Sequence, residues 1–118
     1  MSAALRGVLV LCVFAATARA ADAPQNVAHG KEIYAIRCSP CHGDTGAGDG
    51  PAAAAINPKP RNFHDPAFWR GRTVDQVRLV IKGGRPGTLM APFEGVLSED
   101  DIDAVTAYLF ATFRPAKP

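Results

Sequence analysis

Apolar positions fall into one nearly unbroken run near the start of the chain and three later stretches that repeat at helical spacing. The first run, Gly7 to Ala18, follows the positive Arg6 and is closed by Ala18-Arg19-Ala20, a small-x-small cleavage site. That order of parts predicts a secretory signal over residues 1–20, removed from the mature chain. Twelve apolar residues fall well short of the roughly 20 that span a bilayer, so the run is read as a signal and not as an anchor. Cys12 lacks the small residues that precede a lipidated cysteine, and no twin arginine is present, so the general export route is expected.

The second stretch places Val27, Gly30, Ile33 and Tyr34 on one helical face, with Lys31, Glu32 and Arg37 off it and Asn26 as the N-cap. Gly30 in mid-helix costs up to about 1 kcal/mol against alanine, a cost that close approach by another helix would justify. The third stretch opens with the capping-box pattern Thr73 to Gln76, carries Val74, Val77, Val80 and Ile81, and ends at Gly83-Gly84. The fourth opens at Ser98-Glu99-Asp100-Asp101, whose acids suit a helix N-terminus, and continues as a stripe of Ile102, Val105, Leu109 and Phe113 with Tyr108 beside it. Pro115 stops it. Between these helices, Ala52 to Ala55 can form one turn. Prolines keep Asn57 to Phe63 extended and Arg85 to Phe93 irregular. No strand alternation and no repeat appears, so residues 21–118 are expected to form one all-α domain.

Composition sharpens this picture. Removing the signal leaves about 100 residues, a size at which a purely hydrophobic core can be marginal. Loss of Arg6 and Arg19 takes the 13 basic residues of the precursor down to 11, against 11 acids. A formally neutral chain is not a basic nucleic-acid binder. Of the three cysteines, Cys38 and Cys41 remain.

Those two stand in Cys38-Ser39-Pro40-Cys41-His42. Thiols three residues apart lie nearly one helical turn from each other and can face one edge of a flat ligand. There they can add to the two vinyl groups of a haem, while His42 offers its imidazole to the iron. C-x-x-C-H is the sequence form of covalent haem c attachment. A redox dithiol would want a βαβ context, and a zinc site would want a second ligand pair; neither is present. The loop Gly43 to Pro51 has no preceding strand and no closing Gly-Lys-Ser/Thr, which argues against a phosphate loop. It is better suited to turn the backbone beneath the haem, with a carbonyl near Pro51 accepting the Nδ1 proton of His42. Phe63 and Trp69 are core candidates that a chain this short would use as walls for the porphyrin. Arg61, Arg70 and Arg72 fit either propionate partners or solvated surface charge, with Arg61 taken as the cofactor contact.

A sixth ligand is also legible. Met90, the one methionine left after signal removal, sits in a proline-bounded loop where a core methionine would not be expected. Thioether ligation opposite histidine raises the reduction potential. Its rivals are weaker: His29 lies in the first helix, awkward for reaching over the ring, and His64 sits in a polar Asn-His-Asp segment that reads as surface. Replacing His64 would then leave the iron nearly unchanged.

With a helix, C-x-x-C-H, Gly50-Pro51, Met90-Ala91-Pro92-Phe93 and Leu97-Ser98 before Ala107-Tyr108-Leu109 in that order, residues 27–113 resemble class I monohaem cytochromes c of the short bacterial kind. The resemblance implies a cytochrome c fold of three to four short helices wrapped around one haem, Gly30 and Tyr34 meeting Val105 and Tyr108, and Pro51 as the carbonyl partner of His42. The family often has Met-Pro where this chain has Met90-Ala91-Pro92, which leaves the rigidity of the loop open. The expected function is an exported or periplasmic carrier of single electrons, not an enzyme, with iron between His42 and Met90. A haem subunit of a larger dehydrogenase or oxidase, or a small gas- or peroxide-reactive haem protein, is the alternative. Partners would be redox proteins with acidic docking faces, met by Lys59, Arg61, Arg70, Arg72, Lys82 and Arg85. No membrane span is expected after signal cleavage.

Overall fold

The computed structural model describes residues 23–116, with side chains from Asn26 onward. The signal expected over residues 1–20 lies outside the described residues. Among the described residues five α-helices form, α1 (Ala23–Arg37), α2 (Ser39–His42), α3 (Pro66–Trp69), α4 (Val74–Gly83) and α5 (Glu99–Thr112), with a 3₁₀ turn at Ala53–Ala55. Among the described residues the one β feature is an isolated bridge between Glu94 and Leu97. The all-α expectation holds. The helix count exceeds three to four because α2 and α3 are single turns, each with a proline in its first turn.

The centre is the crossing of α1 and α5. Gly30 is buried there, and a methyl at its position would collide with the Ala104 carbonyl oxygen and meet Tyr108 Cβ at 2.8 Å. The mid-helix glycine is therefore a contact point between backbones. Tyr34 and Tyr108 lie ring to ring at 5.3 Å. Ile102, Val105 and Thr106 are almost wholly buried, and the Thr106 hydroxyl donates to the Ile102 carbonyl at 2.7 Å instead of facing apolar neighbours unpaired. α1 starts at Ala23, so Asn26 stands inside the helix and is not its N-cap.

Both expected capping boxes form. Thr73 Oγ1 accepts from the Gln76 amide and the Gln76 side chain accepts from the Thr73 amide; Ser98 and Asp101 do the same at the start of α5. Val77 and Ile81 of α4 are buried, but Val74 is 51% exposed because it occupies the first helical position, outside the buried stripe. α4 is held to the start of α5 by ion pairs. Arg78 binds Glu99 and Asp103, and Lys82 binds Glu99 at 2.6 Å.

Candidate haem site

α1 runs almost directly into α2. The Cys38 amide donates to the Tyr34 carbonyl at 2.9 Å, and Pro40 stands in the first turn of α2. Within the next turn the amides of Cys41 and His42 both donate to the Cys38 carbonyl, at 3.2 and 2.9 Å. The motif is thus a hydrogen-bonded turn, and Cys38, Cys41 and His42 all line one cavity of about 420 Å³. Gly43 (φ 83°) closes α2, with its carbonyl receiving the Tyr34 hydroxyl at 2.7 Å.

α4 and the loop after it also line this cavity. The Arg85 amide donates to the Met90 carbonyl at 3.0 Å and the Met90 amide donates to Thr88 Oγ1 at 3.2 Å. Phe93 and Glu94 then bind back to the carbonyls of Ile81 and Lys82 at 3.1 and 3.0 Å. The loop that carries Met90 is closed on itself by the first two bonds, and its far end is stapled to the end of α4 by the last two. Its order comes from these bonds, without a proline directly after the methionine. Met90 is half-buried and lines the same cavity as His42.

The site residues expected from sequence divide into those that meet at this cavity and those that do not. Phe63 and Arg61 line it, and the Phe63 ring stacks on His42 at 4.6 Å and 14°. Trp69 does not. It is buried behind the wall, its Nε1–H donating to the Phe63 carbonyl at 2.8 Å and its ring packed on Phe68 and Phe110. The ring that faces the cavity is Phe68, one residue earlier; the aromatic pair was readable in the sequence, its orientation was not. Pro51 is likewise displaced. Gly50 packs on the carbonyls of Ser39 and Pro40, its amide donates to the Cys41 carbonyl, and the Ala52 amide donates to the Pro40 carbonyl. These bonds fix the Gly50-Pro51 turn behind α2, away from the His42 ring. His42 Nδ1 donates instead to the Arg61 carbonyl at 3.2 Å. His29 points outward to Asp101, with Nε2 2.7 Å from its carboxylate, and His64 binds the Thr45 carbonyl at 2.6 Å; neither lines the cavity.

Val77, Val80, Ile81 and Leu109 complete an apolar interior. They were legible as helix stripes, but a stripe does not say whether it faces a neighbouring helix or a ligand. Arg37, Lys59, Arg61, Arg72 and Arg85 also contribute to the lining, and among the described residues no acidic one does. Burial lowers the Arg72 pKa, and repulsion from Arg85 and Arg61 adds to it. Its Nε donates to the Phe68 carbonyl at 2.6 Å, with the guanidinium over the Phe68 ring at 4.4 Å. Clustered cations without a carboxylate partner are costly unless an anion joins them.

Burial also acts on the motif itself. The Cys38 thiol is pushed up to about 12, first by desolvation and then by the nearby Cys41. A thiol held protonated is a poor redox nucleophile and a poor zinc ligand, but it is at ease as neutral sulfur in an apolar wall. Desolvation lowers the His42 pKa, partly offset by the bond to the Arg61 carbonyl, so the imidazole favours its neutral, metal-binding form. An apolar cavity lined by Cys38, Cys41, an imidazole, a thioether and several cations fits a flat macrocycle that carries carboxylates.

This fold and site define a c-type cytochrome. The chain belongs to the family described as cytochrome C oxidase, cbb3-type, subunit III, which it matches over residues 25–109. It is 33% identical over 86 residues to cytochrome c-554(547) of Halothiobacillus neapolitanus, covering 71% of this chain and 93% of that one. It is 35% identical over 107 residues to the dihydro-heme d1 dehydrogenase of Pseudomonas aeruginosa, covering 90% of this chain. A chain of the Kuenenia stuttgartiensis reducing HAO-like protein complex Kustc0457/Kustc0458 superposes with a TM-score of 0.63 at 29% identity, covering 76% of this chain. The chain spans 18% of the length of that dehydrogenase and 46% of that of the HAO-like chain. Haem c, bound covalently through Cys38 and Cys41, is its cofactor.

Proposed function

We propose that the protein is an exported monohaem electron carrier whose iron is held between His42 and Met90. The observation that supports this reading is that His42 of α2 and Met90 of the loop after α4 line the same cavity, which Cys38 and Cys41 also border. When bound, the haem supplies a reversible one-electron couple. The chain's own residues do the rest. Cys38 and Cys41 would tether the group, His42 and Met90 would hold its iron, and Phe63, Phe68, Val77 and Ile81 would exclude water. Iron held by both His42 and Met90 would leave no open place for oxygen or substrate, which favours a carrier over a gas- or peroxide-reactive protein.

The test is the ferric spectrum. Wild-type protein is expected to show the weak sulfur-to-iron charge-transfer band at the red end of the visible range. Met90→Ala is expected to lose the band, bind carbon monoxide once reduced, and fall in potential, since ferrous iron loses its softer partner. Absence of the band from wild type, or carbon monoxide binding by reduced wild type, sinks the assignment.

A second reading is favoured by a specific likeness: nearly the whole chain resembles a small part of a named dehydrogenase. In that reading the protein serves as a haem module docked on a larger redox assembly. Gel filtration of a native extract separates the two, since a free carrier elutes as a small monomer. In either case the partner is a redox protein that meets the cavity mouth. Arg61, Arg70, Arg72 and Arg85 have no carboxylate within ion-pair distance among the described residues, and all but Arg70 line the cavity. Lys82 is taken out of this face by Glu99, and Lys59 by the carbonyls of Ala53 and Ala54. Four arginines suffice to steer an acidic partner, so the transfer rate is expected to fall as ionic strength rises. A flat salt profile counts against that face.

A further inference from the structure

Arg61 to Asp65 belongs to no helix, yet three hydrogen bonds tie it to the glycine loop and α2. The Phe63 amide donates to the Gly46 carbonyl at 2.7 Å, the Arg61 carbonyl accepts from His42 Nδ1 at 3.2 Å, and His64 Nε2 donates to the Thr45 carbonyl at 2.6 Å. The three differ in kind. One joins backbone to backbone, one reaches the haem-binding histidine, and the third is a side-chain clasp. His64 is exposed, but its position is not loose. Its own amide donates to Asn62 Oδ1 at 2.8 Å, and its ring meets Phe113 edge-on at 6.0 Å and 80°.

The lengths say which bond is vulnerable. At 3.2 Å the bond from His42 to Arg61 lies at the long limit for N–H···O, so a few tenths of an ångström of drift in this segment removes it. The clasp at 2.6 Å lies three residues further along the same short segment. An imidazole that donates Nδ1–H to a carbonyl is the more basic ligand, which favours ferric over ferrous iron.

We propose that His64 is a positioning residue for His42: by clasping Thr45 it holds the Arg61 carbonyl on Nδ1 and so sets the donor strength of the imidazole. This rests on the reading of His42 as an axial ligand. It also reverses the expectation from sequence that His64 is inert surface.

The test measures the reduction potential and thermal unfolding of the haem-loaded wild type, His64→Ala and His64→Gln. Loss of the clasp in His64→Ala should shift the equilibrium toward ferrous iron by up to tenfold, which for a one-electron couple is about 59 mV upward. The amide N–H of His64→Gln can donate to the same carbonyl, so its potential should stay near wild type. If His64→Ala melts earlier with its potential unmoved, the residue is structural only and the inference is overturned. It is overturned too if His64→Gln shifts as far as His64→Ala. The underlying ligation fails separately: a wild type without the red charge-transfer band removes the His42/Met90 reading, whatever His64 does.

Discussion

The two halves of this small domain are held together in different ways. At the crossing of α1 and α5 the protein is its own partner: Gly30 lies on the Ala104 backbone, and Ile102, Val105 and Thr106 leave almost no surface exposed. Between α2 and α4, by contrast, Val77, Ile81, Phe63 and Phe68 surround a cavity of about 420 Å³ whose lining carries cations and no acids. The first region is complete as polypeptide. The second is shaped around something the polypeptide does not supply. A group that fills this cavity adds dispersion contacts to walls that are already buried, so its binding stabilises this half of the domain. The buried core runs continuously from the crossing of α1 and α5 to the cavity walls, with its most completely buried residues at the crossing.

The contrast can be broken most directly from the cavity side. Replacing both Cys38 and Cys41 by alanine should abolish covalent haem, leaving none attached after acid-acetone extraction. At least about 4 kcal/mol of linked stability should go with it, the amount given by a ligand present at a thousandfold its dissociation constant. If the double variant melts like wild type, the claim that the cavity half leans on haem is wrong. An attack on the crossing should look different. Gly30→Ala forces a methyl into the Ala104 carbonyl, and overpacking of this kind costs about 3 kcal/mol. Urea unfolding should report that loss, while the haem that remains keeps its red band, because the insult is remote from Met90.

The smallest effect sharpens the comparison at the rim of the crossing, where His29 of α1 meets Asp101 of α5 and Glu32 of its own helix. The hydrogen bond to Asp101 raises the His29 pKa above its ordinary 6.5, with burial opposing and charge from Asp101 and Glu32 assisting. A histidine whose folded pKa is raised stabilises the fold fully below its unfolded value. The contribution is lost as pH climbs through the folded value. His29→Ala should therefore be less stable than wild type near pH 6 and indistinguishable from it at high pH, by equilibrium unfolding at each pH. A gap that widens with pH would contradict the clasp. Exposure keeps the effect small.

Much of this was determined by the sequence itself. Two thiols and an imidazole in one turn, two capping boxes, a glycine among the apolar positions of α1 and a lone methionine between prolines are local patterns. Each works through spacing along the chain, so each could be read before any fold was known. What only the tertiary structure decided has a common physical character. Every residue carries the same carbonyl, so nothing in the sequence marks Arg61 instead of Pro51 as the acceptor for His42; the path of the loop behind α2 chose it. Trp69 and Phe68 are equally aromatic, and only the orientation of α3 turned one inward to the Phe63 carbonyl and the other to the cavity. Lys82 looked like a docking cation until α5 brought Glu99 to it. His64, polar and exposed, gave no sign of the carbonyl it would find on a loop 19 residues away. Spacing encodes what a residue can reach within its own helix turn; which distant backbone atom it meets is fixed only when the loops have closed.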